Sequence, residues 1–544
     1  MSDFDASDLP EQGEEAVMGG SGKDLKLAAT LGRMVLGHFQ NQRTLRQMEQ
    51  AAGQERVRQD AVIAAPPTVH GSARWATPAD VSRSGLLFGA DRFDHPSSIL
   101  LGAVPDPNKP GTQAAGWLHW DGEGHLLTVA PTRSGKSTTL IIPNLLRYKG
   151  SAVVLDPKGE LYDATSAWRA ANVGPVYRIA PFGEHTDGFN PLTAIRQPAD
   201  ARALADLMLP SDPNAQDFFK KDAVAFLTAL ILFLVHQAPP ERRTLAELRR
   251  LTAASLDDFV GIARAMQASP VAAVANAANI VLGKSKDRGL PNLRDTLNTE
   301  LVLWDDPGVI RATSSAEVDF RALKDRPATV YISVPFDKME AFSPLLKVVL
   351  ANALDAMIQN PKEPAIQVLF VLDEFLALGP FVKFLNAINT HASAGVRLWF
   401  FLQNLARLEE HYPTAWRNFF DASAKIFFGT RDPFTAKLVS EFLGDQTVAY
   451  RSASLSLTLS SSSSDFGMNH TAGHNASISS SVNLTGRALL TPAEVVSSLE
   501  PSLPDKSRQS IVFIPNTPPV LGRLNPYFQG TRCMQRHGAL RLLP

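Results

Sequence analysis

The residues best suited to chemistry form one continuous run. An apolar stretch at 126–130 leads into Pro131-Thr132-Arg133-Ser134-Gly135-Lys136-Ser137-Thr138, and a helix-like segment follows at 139–146. Strand, tight loop and helix N-terminus in that order make a phosphate cradle, because main-chain N–H groups and the helix dipole converge on one point. In such a cradle Lys136 neutralises the β and γ oxygens of a nucleoside triphosphate and the Ser137 hydroxyl ligates Mg²⁺. Thr132, Arg133, Ser134, Gly135, Lys136, Ser137 and Thr138 are therefore the candidate nucleotide-binding residues. Ala130 stands at the first position of the G-x-x-x-x-G-K-[ST] pattern, so the match rests on Gly135-Lys136-Ser137 and on its context.

A second apolar run, 368–372, ends in Asp373-Glu374. Adjacent carboxylates at the end of a buried strand need a partner, since an unpaired buried charge is costly. Beside a phosphate loop the first acid holds Mg²⁺, directly or through water, and the second polarises the attacking water. A third run, 396–402, ends in Gln403-Asn404, and an amide that both donates and accepts suits a sensor of the γ-phosphate. Lys136, Glu374 and Gln403 are thus the catalytic candidates, with Ser137 and Asp373 as metal ligands.

The elements that must position these residues are short apolar strands at 126–130, 152–155, 176–180, 329–334, 368–372, 396–402, 425–428 and 510–514. Strands this continuously apolar belong to a sheet buried on both faces, with helices covering it. Ala- and Leu-rich segments at 199–208, 218–236 and 245–266 read as helices between the third and fourth strands. The expected fold is α/β, a P-loop NTPase domain with a mainly parallel sheet and an inserted all-α domain. Four regions follow: a disordered and helical arm at 1–70, the start of the nucleotide-binding domain at 71–198, the all-α insert at 199–324, and the remainder at 325–544. Within the arm, 1–24 is expected to be disordered, 26–58 has helical composition, and 64–69 is a Pro-containing connector. The Ser-rich tract 451–482 is too polar for a core and reads as a flexible surface loop or hairpin.

Composition narrows the classes. With 544 residues the chain holds two to four domains, and 53 Lys and Arg against 54 Asp and Glu leave a formal charge of −1, so any DNA-binding surface is local. A hydrophobic fraction of 44% and a charged fraction of 20% exclude a mostly disordered chain. The single cysteine, Cys533, excludes a disulfide framework and a Cys-rich zinc site. The acidic start at 2–15 lacks a signal peptide's pattern, and the longest apolar run, 223–235, falls short of the about 20 residues that span a bilayer. We therefore read 223–235 as a buried helix and expect a cytoplasmic protein. The sequons at Asn475 and Asn483 are discounted for the same reason.

The chain resembles the conjugative coupling proteins of type IV secretion systems, the TraG-type group of hexameric RecA-like motors. The resemblance is carried by 124–136, by Asp156-Pro-Lys158-Gly-Glu160 with Tyr162, by Phe189-Asn-Pro-Leu192, by 370–375, and by Gln403. Asp432, Thr435-Ala436, Leu443-Gly444, Arg487-Ala-Leu-Leu490 and Glu494 extend it, so that it covers about 116–528. It implies an ATPase using ATP and Mg²⁺ that receives relaxase-bound single-stranded DNA, or effector proteins, and passes them to a type IV secretion channel. It further implies a homo-hexamer at the cytoplasmic face of the bacterial inner membrane, with the all-α domain meeting the relaxosome. Family members usually carry N-terminal transmembrane helices; this sequence shows none, so membrane contact is expected to be peripheral or through partners. Related motors place a basic residue where His391-Ala-Ser-Ala-Gly395 stands here, which leaves Arg397 or Arg431 to serve as an arginine finger. Asp156-Pro-Lys158-Gly-Glu160 reads either as a stabilised turn or as charge near the nucleotide. A nucleotide-regulated docking receptor that pumps no DNA and a cytosolic translocase or helicase are the alternative readings.

Overall fold

The computed structural model describes residues 42–88, 96–105, 114–209, 218–421, 424–462, 471–500 and 506–529. The expectations for 1–24 and for the 26–41 part of the helical segment, and Cys533, lie outside the described residues. The chain divides into two units, one drawn from 42–74 and 440–491, the other from 75–439 and 492–529.

The strands are β1 (Leu87–Phe88), β2 (Ile99–Pro105), β3 (Ala114–Trp120), β4 (Leu126–Val129), β5 (Ala152–Leu155), β6 (Val176–Ile179), β7 (Thr329–Ile332), β8 (Val368–Leu372), β9 (Val396–Leu402), β10 (Ala424–Phe427), β11 (Asp445–Ser462), β12 (Thr471–Ala488), β13 (Arg508–Phe513) and β14 (Val520–Leu524). All but β11 and β12 form one twelve-stranded sheet in the larger unit, ordered β1-β3-β2-β14-β13-β10-β4-β9-β8-β5-β7-β6. From β10 through β6 every neighbouring pair is parallel. The other half, from β1 to β13, is antiparallel, and β13 joins β10 antiparallel.

The parallel half is the expected one, and its physical signature is plain. Every residue of β4, β5, β7, β8 and β9 is buried, as a sheet covered on both faces requires. β4 lies between β10 and β9, and the next strand in sequence, β5, lies beyond β9 and β8. Chain direction across the sheet therefore reverses beside β4, and such a switch point leaves a crevice at the strands' carboxyl ends.

Between β6 and β7 run the helices Pro198–Met208, Phe218–Gln237, Leu245–Thr252, Leu256–Gln267, Ala272–Leu282, Gly289–Glu300 and Pro307–Thr313. The apolar run 223–235 lies in Phe218–Gln237, where Ala223, Phe226, Leu227, Leu230, Ile231 and Leu234 are buried. Side-chain caps start three of these helices: Thr244 accepts from Glu247 N–H, Ser255 from Asp258 N–H, and Asp306 from Gly308 N–H. Arg249 grips Asp305 through two bonds of 2.9 and 2.8 Å. No helix among the described residues is long and apolar enough to cross a membrane.

In the smaller unit the Ser-rich tract forms a hairpin, β11 pairing with β12 from Asp445↔Ala488 to Ser462↔Thr471. Its polarity bars a core, but ladder hydrogen bonds are made by the backbone and need no apolar side chain. The helix Gln42–Ala64 belongs to the same unit, where Gln59 donates to the Ser480 carbonyl at 3.2 Å and Asp60 pairs with Arg451 at 2.7 Å.

Candidate nucleotide-binding and hydrolysis site

The sequence-predicted site residues meet at the carboxyl edge of the parallel strands. The loop after β4 requires left-handed backbone: φ is 62° at Arg133 and 96° at Gly135. A side chain at Gly135 would be strained, and its Cβ would lie 3.2 Å from Thr138 Oγ1. Ser134 Oγ donates to the Pro131 carbonyl at 2.6 Å, closing the loop from within. The segment expected as helix at 139–146 begins earlier and wider, as a π-turn over Ser137–Ile141 continued by α-helix at Ile142–Leu145. Thr138 and Thr139 hydroxyls both return to the Gly135 carbonyl, at 3.1 and 2.8 Å. The side chains of Thr132 and Arg133 are exposed, and Ser137 is half-buried at the start of the turn.

Lys136 is buried and makes two bonds, to the Ala130 carbonyl at 3.0 Å and to Glu374 Oε1 at 3.1 Å. Glu374 turns into this position through a left-handed backbone, φ 52° and ψ 33°. Its second oxygen, Oε2, accepts from Gln403 Nε2 at 3.1 Å. Three residues from three strand ends, far apart in sequence, thus form one chain: Lys136, Glu374, Gln403. Asn404 accepts the Arg407 N–H at 2.9 Å and so caps the helix Leu405–His411, while Thr435 Oγ1 accepts the Leu405 N–H at 3.0 Å and donates to Asp432. Asp432 and Thr435 therefore fix the segment that carries Gln403.

Asp373 is half-buried as a residue, yet its Oδ1 is inaccessible and has no hydrogen-bond partner. Burial, reinforced by the Glu374 carboxylate, pushes its carboxyl up to about 7, against the pull of Lys136. An orphaned carboxylate oxygen one residue from Glu374 fits a hard divalent cation. The donor set suits Mg²⁺, an oxygen-seeking ion that keeps several waters and takes phosphate oxygens as ligands. Ser137 and Asp373 supply two such donors. No cluster of three or more His, Cys, Asp or Glu side chains among the described residues could hold a metal unaided.

Other motif residues make structural contacts, and the charges of Asp156 and Lys158 also act on Asp373. Asp156 accepts the Tyr162 N–H at 2.8 Å at the head of the helix Glu160–Asn172, and Gly159 takes φ 74° in the turn. Burial raises the Asp156 carboxyl to about 6. Lys158 remains exposed. Asn190 accepts the Leu192 N–H and donates to the Arg243 carbonyl, tying the segment after β6 to the helical one.

The two arginine-finger candidates separate. Arg397 is only 2% exposed and donates to the carbonyls of Ser97 and Gly122, so it lies in the interior and cannot serve a neighbouring subunit. Arg431 is exposed and pairs with Glu500 at 3.0 Å. Sequence reasoning missed a cavity of about 400 Å³ on which Glu374 and Gln403 border together with Phe336, Glu340, Arg407 and His411. Arg407 lies in the first turn of the helix Leu405–His411, three residues after its N-cap Asn404.

A sequence profile described as "Type IV secretory system Conjugative DNA transfer" matches residues 94–543. The chain is 29% identical to protein VirD4 of Rhizobium radiobacter over 84% of its own length and 64% of that protein. It is 28% identical to the conjugal transfer protein TraG of Escherichia coli over 63% of its own length and 58% of that protein. The chain spans 58–65% of the length of the three VirD4 proteins it matches. In fold it is similar to the bacterial conjugative coupling protein TrwBdeltaN70 in a complex with sulphate, with a TM-score of 0.55, 17% identity, and coverage of 85% of this chain and 96% of that one. The plasmid coupling protein TrwB with ADP and Mg²⁺ aligns with a TM-score of 0.52 at 18% identity, covering 81% of this chain and 94% of that one.

Proposed function

The chain belongs to the type IV secretory system conjugative DNA transfer family, and from that membership we propose that it is the coupling ATPase that drives relaxase-bound single-stranded DNA, or effector proteins, into a type IV secretion channel. The observation that carries the ATPase reading is the Lys136–Glu374–Gln403 chain beside the orphaned Asp373 oxygen. ATP occupies the loop 132–138, with its phosphates on the main-chain N–H groups. Lys136 exchanges Glu374 for the β and γ oxygens. Mg²⁺, held by Ser137 and Asp373, supplies charge neutralisation on the phosphates when bound. Glu374, released by Lys136, orients the attacking water and takes its proton. Gln403 loses or regains its bond to Glu374 as the γ-phosphate comes and goes, which links hydrolysis to movement of the helix Leu405–His411.

The working form is a homo-hexamer, since motors of this type complete the site across a subunit boundary. Its central channel holds DNA through phosphate contacts with little sequence preference. The helices between β6 and β7 face the relaxosome or effectors. The protein works at the cytoplasmic face of the inner membrane. The family description, conjugative DNA transfer, and the name of the conjugal transfer protein TraG support DNA as the cargo, and the ADP- and Mg²⁺-bound TrwB supports the nucleotide.

The test is ATP hydrolysis with and without single-stranded DNA across protein concentration, with Lys136→Ala as the blank. Turnover rising with both DNA and protein is the expected result. Tight ATP binding with flat, negligible turnover would replace the motor by a docking receptor.

A further inference from the structure

Glu374 and Gln403, which Lys136 of the phosphate loop joins in one chain, follow β8 and β9 and so lie on one flank of that loop. The opposite flank is built by β10 and β13. β13 runs antiparallel to β10, with Lys425 opposite Phe513 and Phe427 opposite Ile511, so its first residue, Arg508, stands at the same edge where the parallel strands end. That edge touches the loop. A Cβ on Gly429 would lie 3.1 Å from Ser134 Cβ, and a Cβ on Gly135 would lie 4.0 Å from Arg508 Nε.

We propose that Arg508, assisted by Arg431, is a second cationic clamp of the nucleotide site, acting within its own subunit on the α- and β-phosphates common to ADP and ATP. The inference rests on the nucleotide-site reading above. Three observations carry it. The guanidinium of Arg508 overlies the loop glycine from the side opposite the γ-phosphate residues. Among the described residues it makes a single hydrogen bond to protein, from Nη1 to the Glu500 carbonyl at 3.3 Å, so most of its donor fork is unspent. Arg431 stands near enough to repel it, and among the described residues the one carboxylate paired there is Glu500, at 3.0 Å from Arg431. Two guanidinium groups against one carboxylate at the lip of an anion cradle leave a local positive excess that a diphosphate neutralises. Burial, and then the neighbouring Arg431, lower the proton affinity of Arg508, and an anion between them offsets the repulsion of the two cations.

The position assigns the phosphate. The γ-phosphate lies toward Glu374, and a cation on the far side of the loop meets the diphosphate instead. Arg508 should therefore not distinguish ADP from ATP, unlike Glu374 and Gln403.

The experiment titrates fluorescent ADP and fluorescent ATP into the full chain by anisotropy, for wild type, Arg508→Ala, Arg508→Lys, Arg431→Ala and Lys136→Ala, with unfolding curves in the absence of nucleotide. Arg508→Ala should weaken ADP and ATP alike by about tenfold or more, the scale of a charge-assisted hydrogen bond. Arg508→Lys should recover part of this, and Arg431→Ala should lose about two- to threefold by the same reasoning. Inorganic pyrophosphate should compete for wild type and lose potency against Arg508→Ala. Unchanged ADP affinity in Arg508→Ala, or a loss confined to ATP, overturns the clamp. Should Arg508→Ala fail to fold, unchanged ADP affinity in both Arg508→Lys and Arg431→Ala overturns it equally. Wild type that binds neither nucleotide overturns the site reading itself, and the clamp with it.

Discussion

Glu374→Gln isolates the charge at the centre of the site. The change keeps the side chain's volume and one oxygen to accept from Gln403, removes the negative charge that holds Lys136, and replaces the oxygen that accepts from Lys136 by an NH₂ donor. At 3.1 Å the Lys136–Glu374 attraction is about 5 kcal/mol gross for an effective dielectric of about 20. Desolvation of the two groups, 8% and 18% exposed, cuts the net to about 1–2 kcal/mol. ATP must overcome that amount to draw Lys136 onto its phosphates. Removing it should tighten ATP binding by about 5- to 30-fold. Hydrolysis should fall in the opposite direction, by about 10²–10⁴-fold, because the group that takes the water's proton is gone. Nucleotide titration together with single-turnover hydrolysis of radiolabelled ATP, with single-stranded DNA present, reads both effects on one preparation. Turnover within about threefold of wild type would remove Glu374 from its role, and unchanged ATP affinity would show that the ion pair does not compete with the nucleotide.

Other sites give independent checks. Gly135→Ala should lower nucleotide affinity at least about tenfold while costing only about 1–2 kcal/mol of stability, because φ 96° is strained for alanine; equal affinity by anisotropy would contradict the loop's role. Arg169 is fully buried and donates to Thr329 and to the carbonyls of Leu145, Tyr148 and Gly150. Arg169→Met should therefore cost about 3–5 kcal/mol in urea unfolding, since it strands three carbonyls, and a loss below 1 kcal/mol on the same order-of-magnitude scale would refute that. His125 is held neutral, its pKa lowered to about 4 by burial, and its Nδ1 accepts the Leu398 N–H at 3.2 Å. Because the folded value lies below the unfolded one, its contribution is complete above about pH 6.5 and is lost as pH falls toward 4, up to about 3 kcal/mol. His125→Gln keeps an acceptor and should flatten the stability profile over that interval; an unchanged slope would mean that other groups set it.

The parallel half of the sheet is legible in the sequence because burial on both faces leaves an uninterrupted apolar run. The runs at 152–155, 368–372 and 396–402 coincide with β5, β8 and β9, and the other expected strands end within two residues of those observed. The antiparallel half is less legible. β2 contains Gly102 at φ 137° with a register shift after Leu100, and β14 reads Val-Leu-Gly-Arg-Leu, alternating burial with half-exposure. Neither gives the continuous signal of a covered strand. The chain Lys136–Glu374–Gln403 is legible because each member lies in the short segment after an apolar run, and strand ends of a parallel sheet converge on one edge.

The arginines show where reading by residue type stops and reading by position must take over. Arg397, Arg431 and Arg508 carry the same group, and their neighbours in sequence separate them. Arg397 is the second residue of Val-Arg-Leu-Trp-Phe-Phe-Leu, with apolar residues on both sides and every position buried. A cation inside such a strand must be spent on main-chain carbonyls, and those of Ser97 and Gly122 receive it. That context was sufficient to exclude it as a finger. Arg431 stands beyond a strand's carboxyl end and Arg508 opens a strand that runs the other way, so both reach the functional edge, but only the antiparallel pairing of β10 with β13 reveals the second. The direction of one strand, which local sequence does not encode, decides whether its first residue faces the nucleotide or the far side of the sheet.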